Sequence, residues 1–140
     1  DGAAAGTWTD PVLVNTAPET RVAGQWMPRV AVDGLGGVHV VYLTQAYDLV
    51  HGNSWVDAEW AYSTDGGGNW TTQRLTTVSF DGDLGIHQNG GPFLGDYIGI
   101  GAVGGDVYMG FPTTLTGVAE IAVAHAVATA GVDAGATTTA

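Results

Sequence analysis

Apolar and polar residues alternate along most of this chain. Turn-forming residues break the alternation about every 8–12 positions, which is the spacing of an antiparallel all-β fold. "TWTDPVLVN" (Thr7–Asn15) reads as the first strand, with Pro11 directing it to a sheet edge or a bulge. "MPRVAVD" (Met27–Asp33) and "VHVVYLTQ" (Val38–Gln45) follow, joined by the turn "GLGG". "VDAEWAYST" (Val56–Thr64) and "WTTQRLTTV" (Trp70–Val78) flank the turn "DGGGN". A polar, glycine-rich connection, "SFDGDLGIHQNGGPFLG", interrupts the pattern before it resumes as "DYIGIGAV", "VYMGFPTT" and "VAEIAVAHAV". The alanines of the last segment favour helix. Val118, Ile121, Val123 and Val127 make no helical stripe, however, so a strand is predicted there. The tail "ATAGVDAGATTTA" is weakly patterned and reads as a poor strand or a flexible end.

The strands repeat. "MPRVAVDGLGGVHVVYLTQ" (27–45) and "GDYIGIGAVGGDVYMGFPT" (95–113) share an apolar strand, a glycine turn and a second apolar strand. Each continues into a third strand, "DAEWAYSTD" or "AEIAVAHA", with Glu59 and Glu120 at sites that look equivalent. The first copy adds a fourth, "NWTTQRLTT". Repeated units of four antiparallel strands are the pattern of β-propeller blades.

Composition narrows the partners. At 140 residues the chain is one domain in length, and its mean hydropathy of +0.15 favours a globular class over disorder. Lysine is absent, and Arg21, Arg29 and Arg74 are the only fixed cations against 14 acids, giving a net charge of −11. That charge repels phosphate backbones, so nucleic acid is not an expected partner. Zero cysteines exclude disulfides and thiolate metal sites. No apolar run approaches the roughly 20 residues of a membrane span. The chain opens with no basic-then-apolar leader, so export implies that such a segment has been removed.

The central stretch "STDGGGNW" fits S-x-D-x-G-x-x-W, with Ser63, Asp65, Gly67 and Trp70 at the marked places. Glycine supplies the positive φ of a tight hairpin turn. The Asp65 carboxylate is suited to accept backbone N–H groups across that turn, and the Ser63 hydroxyl to tie the same loop. Trp70 is expected to fold its ring under the turn as an anchor. This stretch resembles the Asp-box of the bacterial neuraminidase repeat (sialidase-like) propellers. "WTDPVLVN", "QWMPRVAVDGLGGVHVVYL" and "FLGDYIGIGAVGGDVYMGF" resemble successive blade segments of that family, covering about residues 7–127.

The resemblance implies an all-β chain: a closing strand over 7–15, an Asp-box blade over 27–78 and a second blade over 93–140. A propeller closes with four to eight blades of about 40–50 residues, so further sequence or oligomerisation must complete the ring. It also implies an exported, extracellular module with a binding or assembly role on a glycan or protein surface. The second reading is an exo-glycosidase whose other catalytic residues lie outside this chain or in a neighbouring copy. In this family the Asp-box lies away from the catalytic face, so Ser63, Asp65, Gly67 and Trp70 are expected to be architectural.

The candidate chemistry is sparse. A sialidase grips its substrate carboxylate with an arginine triad, whose forks lysine replaces poorly. None of the three arginines here lies in the family's usual F/Y-R-I-P setting. Asp96 and Tyr97, in "LGDYIG", start a strand expected to line a central pocket and are the candidate catalytic pair. "FDGDLGIHQNGG" carries Asp81, Asp83, His87 and Asn89; aspartates at i and i+2 suit Ca²⁺, though the EF-hand pattern is not met. His39, His51, His87 and His125 lack metal-ligand spacing and read as ordinary residues. Trp26 and Trp55 are the freer tryptophans and the candidates for stacking on sugar rings, whereas Trp60 reads as buried.

Overall fold

A computed structural model describes residues 8–15, 23–48, 50–51, 54–88, 90–128 and 136–139. Strands make up 51% of the chain and helix 4%, so the protein is all-β and built from antiparallel sheets with no closed barrel. In chain order the strands are β1 (Gln25–Val32), β2 (Val38–Thr44), β3 (Trp55–Ser63), β4 (Thr71–Arg74), β5 (Phe80–Asp81), β6 (Ile86–Gln88), β7 (Gly91–Phe93), β8 (Gly99–Val103), β9 (Asp106–Thr113), β10 (Glu120–Val127) and β11 (Ala136–Thr139). The first sheet is a meander, β1-β2-β3-β4, with β5 added beside the start of β3 through Trp55↔Asp81. The second is also a meander, β8-β9-β10-β11. β6 and β7 form a separate hairpin.

The period of two decides how the sheets pack. Val41 and Leu43 of β2, with Val56, Ala58, Trp60 and Tyr62 of β3, share one face. They form a single core with Val107, Met109 and Phe111 of β9 and Ala122, Ala124 and Ala126 of β10. Trp60 is fully buried and stacks on Tyr62 at 4.6 Å between ring centroids. The three alanines of β10 in the same cluster offset the bulk of that indole, as close packing requires.

The glycine turns meet at one end of the two sheets. In the first, Asp33 Oδ1 accepts from Leu35 N and Gly37 N at 2.8 Å each, and Gly36 takes φ +89°. A Cβ on Gly37 would lie 2.7 Å from the Asp33 carboxylate, so a larger residue there would push that carboxylate off its turn. Gly34 N donates to Gly104 O at 2.8 Å, joining this turn to the one between β8 and β9.

Several sequence expectations need correction. Residues 8–15 form no strand, and Thr7 lies outside the described residues. Val14 packs on the outer face of the first sheet against Val40, Tyr42 and Ala61, leaving Trp8, Val12 and Leu13 exposed. The connection after β4 is partly ordered as β5, a 3₁₀ turn (Gly82–Leu84) and the β6–β7 hairpin. The repeat breaks at its turn: Val32 pairs with Val38 across five residues, but Val103 pairs with Asp106 across two. Glu59 and Glu120 are not equivalent. Glu59 lies opposite Tyr42, while the matching place in the second sheet is Val123 opposite Gly110.

Candidate functional site

The Ser63–Trp70 turn caps the end of β3. Ser63 Oγ donates to Asp65 Oδ1 at 2.8 Å and accepts from Gly67 N at 2.8 Å. Asp65 Oδ1 also accepts from Asn69 N at 2.9 Å, and Asp65 Oδ2 from Asn69 Nδ2 at 2.6 Å. These donors, the Asn69 backbone amide foremost, hold the Asp65 carboxyl down at about 2. Trp70 Nε1 donates to Gly67 O at 3.0 Å, and the indole packs beside Val40, Tyr42 and Ala61. The Ser63, Asp65, Asn69 and Trp70 side chains all bond within the turn itself.

At the other end of β3, about 27 Å away at strand rise, a recess of ≈ 390 Å³ opens between the edge of the first sheet and the segment that runs from the 3₁₀ turn through β7 to Asp96. Trp26, Gln45, Ser54, Asp83, Phe93 and Asp96 are among its lining residues. A bulge in β1 between Trp26 and Arg29 presents the indole there, and Met27 within it takes φ 56°. Bulges re-aim side chains in this way, and a non-glycine residue at positive φ is strained. The far wall depends on close backbone approach: a Cβ on Gly82 would lie 2.8 Å from Ser54 O, and one on Gly85 2.7 Å from Phe93 O. Gly95, beside Asp96, takes φ +110°.

The recess gathers three residues that sequence reasoning singled out separately: Trp26, Asp83 and Asp96. The others go elsewhere. Tyr97 is 75% exposed and sits under the Arg29 guanidinium, 5.8 Å from its ring centroid, outside the recess. Trp55 is half-buried with the His51 ring stacked on it at 4.4 Å. Asp81 Oδ1 accepts from Asp83 N at 3.0 Å and so caps the 3₁₀ turn. Among the described residues no group of three or more histidine or acidic side chains is placed to hold a metal ion. Arg21 and Asn89 lie outside the described residues.

The alternation in "VDAEWAYS" looks like a half-exposed strand, which hid a buried polar network on the outer face of the first sheet. Asp57 is fully buried; its Oδ1 accepts from Arg74 Nη2 at 2.7 Å, Arg74 Nε at 2.9 Å and Thr76 Oγ1, and its Oδ2 from Ser79 Oγ at 2.7 Å. Arg74 also covers the Tyr47 ring, 4.8 Å from the centroid. Glu59, two residues on, is equally buried, yet neither carboxylate oxygen has a well-formed hydrogen bond. Burial pushes its carboxyl up from the ordinary range, against a partial pull from the facing Thr72, Tyr47 and Tyr42 side chains. Burial and the neighbouring Glu59 push the Tyr42 and Tyr47 phenols up in turn.

Two histidines also have specific partners. His39 Nε2 meets Asp33 Oδ2 at 3.0 Å in the buried turn, and His125 Nε2 meets Asp106 Oδ1 at 2.7 Å beside the stacked Tyr108 ring. No signal in the single sequence pointed to either pair.

No protein-family model, curated protein or solved structure matches this chain.

Proposed function

We propose that this chain is a segment of an exported, sialidase-like β-propeller that binds carbohydrate through the recess at the end of β3 away from the Ser63–Trp70 turn. The two four-stranded meanders, packed face to face, are then neighbouring blades, and the Ser63–Trp70 turn is an Asp-box pinning one corner. The observation that carries the binding role is the placing of an indole, two carboxylates and the neutral polar groups of Gln45 and Ser54 around one recess. Apolar ring faces with a few convergent polar groups are what a pyranose presents a use for. The recess lies at the end of β3 away from the Asp-box turn, on the side where the family carries its chemistry. Retention of the protein on a panel of immobilised glycans, reduced by Trp26→Ala, is the expected result. Failure of the unmodified protein to be retained on any glycan would remove this reading.

A second reading is an exo-glycosidase completed by sequence or copies beyond this chain. It is favoured by one feature, that Asp83 and Asp96 both line the recess, since glycoside hydrolysis uses paired carboxyl groups. Release of a fluorogenic leaving group from aryl glycosides, abolished by Asp96→Asn, is what it requires. Tyr97→Phe leaves that release unchanged if Tyr97 stays outside the recess.

A further inference from the structure

Building on the carbohydrate reading of the recess, we infer that its ligand is a glycan lacking anionic groups, with amine-bearing hexoses preferred over their N-acetylated forms. The lining decides this. Asp83 and Asp96 are its charged side chains, Gln45 and Ser54 are neutral, and among the described residues no arginine, lysine or histidine lines the recess. Of the fixed cations, the chain has no lysine, Arg29 lies over Tyr97, and Arg74 is held on the buried Asp57; His87 pairs with the recess-lining Pro92 but is not itself in the lining. The third arginine, Arg21, lies outside the described residues.

A sugar carboxylate in this volume meets two like charges with no compensating fork, and the net charge of −11 adds to the repulsion. At partly exposed sites this lowers affinity on the order of tenfold relative to the neutral sugar. A protonated sugar amine meets the same two carboxylates as hydrogen-bond acceptors of opposite charge. The aromatic contact with Trp26 is indifferent to either substitution, because it takes the apolar ring face.

Calorimetric titration with four sugars tests the inference: glucosamine oligomers, the same oligomers fully N-acetylated, sialyllactose and lactose. In slightly acidic, low-salt buffer, where the sugar amine carries a proton, the amine form is expected to bind about fivefold tighter than the acetylated form. That ratio should fall toward one in high salt and in the double variant Asp83→Asn, Asp96→Asn. Both aspartates are exposed, so the variant should keep the circular dichroism of the parent. Sialyllactose should bind more weakly than lactose, and the double variant should narrow that gap. Equal affinities for amine and acetyl forms, or sialyllactose binding tighter than lactose, overturn the inference while leaving the carbohydrate reading in place. Absence of binding by all four sugars overturns both.

Discussion

Replacing Asp57 by alanine should be among the most damaging single changes in the molecule. Its carboxylate is fully buried and is the acceptor for Arg74, Thr76 and Ser79 at once. Removing one member of a buried, hydrogen-bonded ion pair costs about 3–5 kcal/mol, because the remaining charge is left uncompensated. Arg74 keeps 29% side-chain exposure and can recover part of its hydration, which places the loss near the lower limit, about 3 kcal/mol. Against a total stability of about 5–15 kcal/mol for a domain of this size, that is a large share. With a urea m-value of about 2 kcal/mol/M, the midpoint should move down by about 1.5 M. Urea melts followed by tryptophan fluorescence read this directly, since Trp60 is in the core. Arg74→Ala should cost a similar amount, and the double variant should cost less than the sum of the two singles. A shift below about 0.5 kcal/mol for Asp57→Ala, typical of a surface change, would refute the network as described.

Three further outcomes are expected. Glu59→Gln should be at least as stable as the parent near neutral pH. The buried carboxyl titrates above its unfolded value of about 4.3, so the parent loses stability as pH rises through that value toward the raised one, and the glutamine variant does not. Chemical melts of both proteins across pH check it, with the two curves meeting near pH 4 and separating above it. Asp65 has the opposite sign: held at about 2 against 3.8, its contribution is present above about pH 4 and lost as pH falls toward 2. Hydrogen exchange at the Gly67 and Asn69 amides should quicken over that window while core amides of β3 stay protected. Trp60→Ala should cost about 3–5 kcal/mol as a large-to-small core change, read in urea melts followed by circular dichroism because the variant removes the core fluorophore.

Much of the fold was legible because a half-buried strand writes its packing as a period of two. β9 and β10 follow that rule, and their bounds fell within about two residues of the expectation, whereas β2 is buried on both faces. The leading segment misled because its alternation describes a strand only if an edge receives it. Here Val14 lies on the face of the sheet instead. Glu59 was misplaced for a related reason. Counting along the chain matched it to Glu120, but pairing across the sheet is set by the connection between the paired strands: Thr44 pairs with Asp57 across twelve residues, and Thr113 with Glu120 across six. Asp57 and Arg74 are 17 positions apart, so only the register of β3 and β4 brings them together. The recess was half legible: Trp26, Asp83 and Asp96 were each chosen for their local setting, yet nothing in a linear pattern joins residues from β1, the 3₁₀ turn and the approach to β8.

The exposed apolar residues on the outer faces bear on assembly. Val30 and Val32 on the first sheet, and Ile121 and Val123 on the second, are exposed apolar surface of the kind that association covers. A native mass near 14.3 kDa would indicate that isolated chains leave these faces open, and a multiple of it that copies cover them.

The most direct test of a glycan-binding recess is a titration of isotope-labelled protein with neutral and amine-bearing oligosaccharides, followed by amide chemical shifts. Perturbations should centre on Trp26, Gln45, Asp83 and Asp96, with Ser63 to Trp70 unmoved. Shifts confined to that turn, or no shifts with any sugar, would contradict the account.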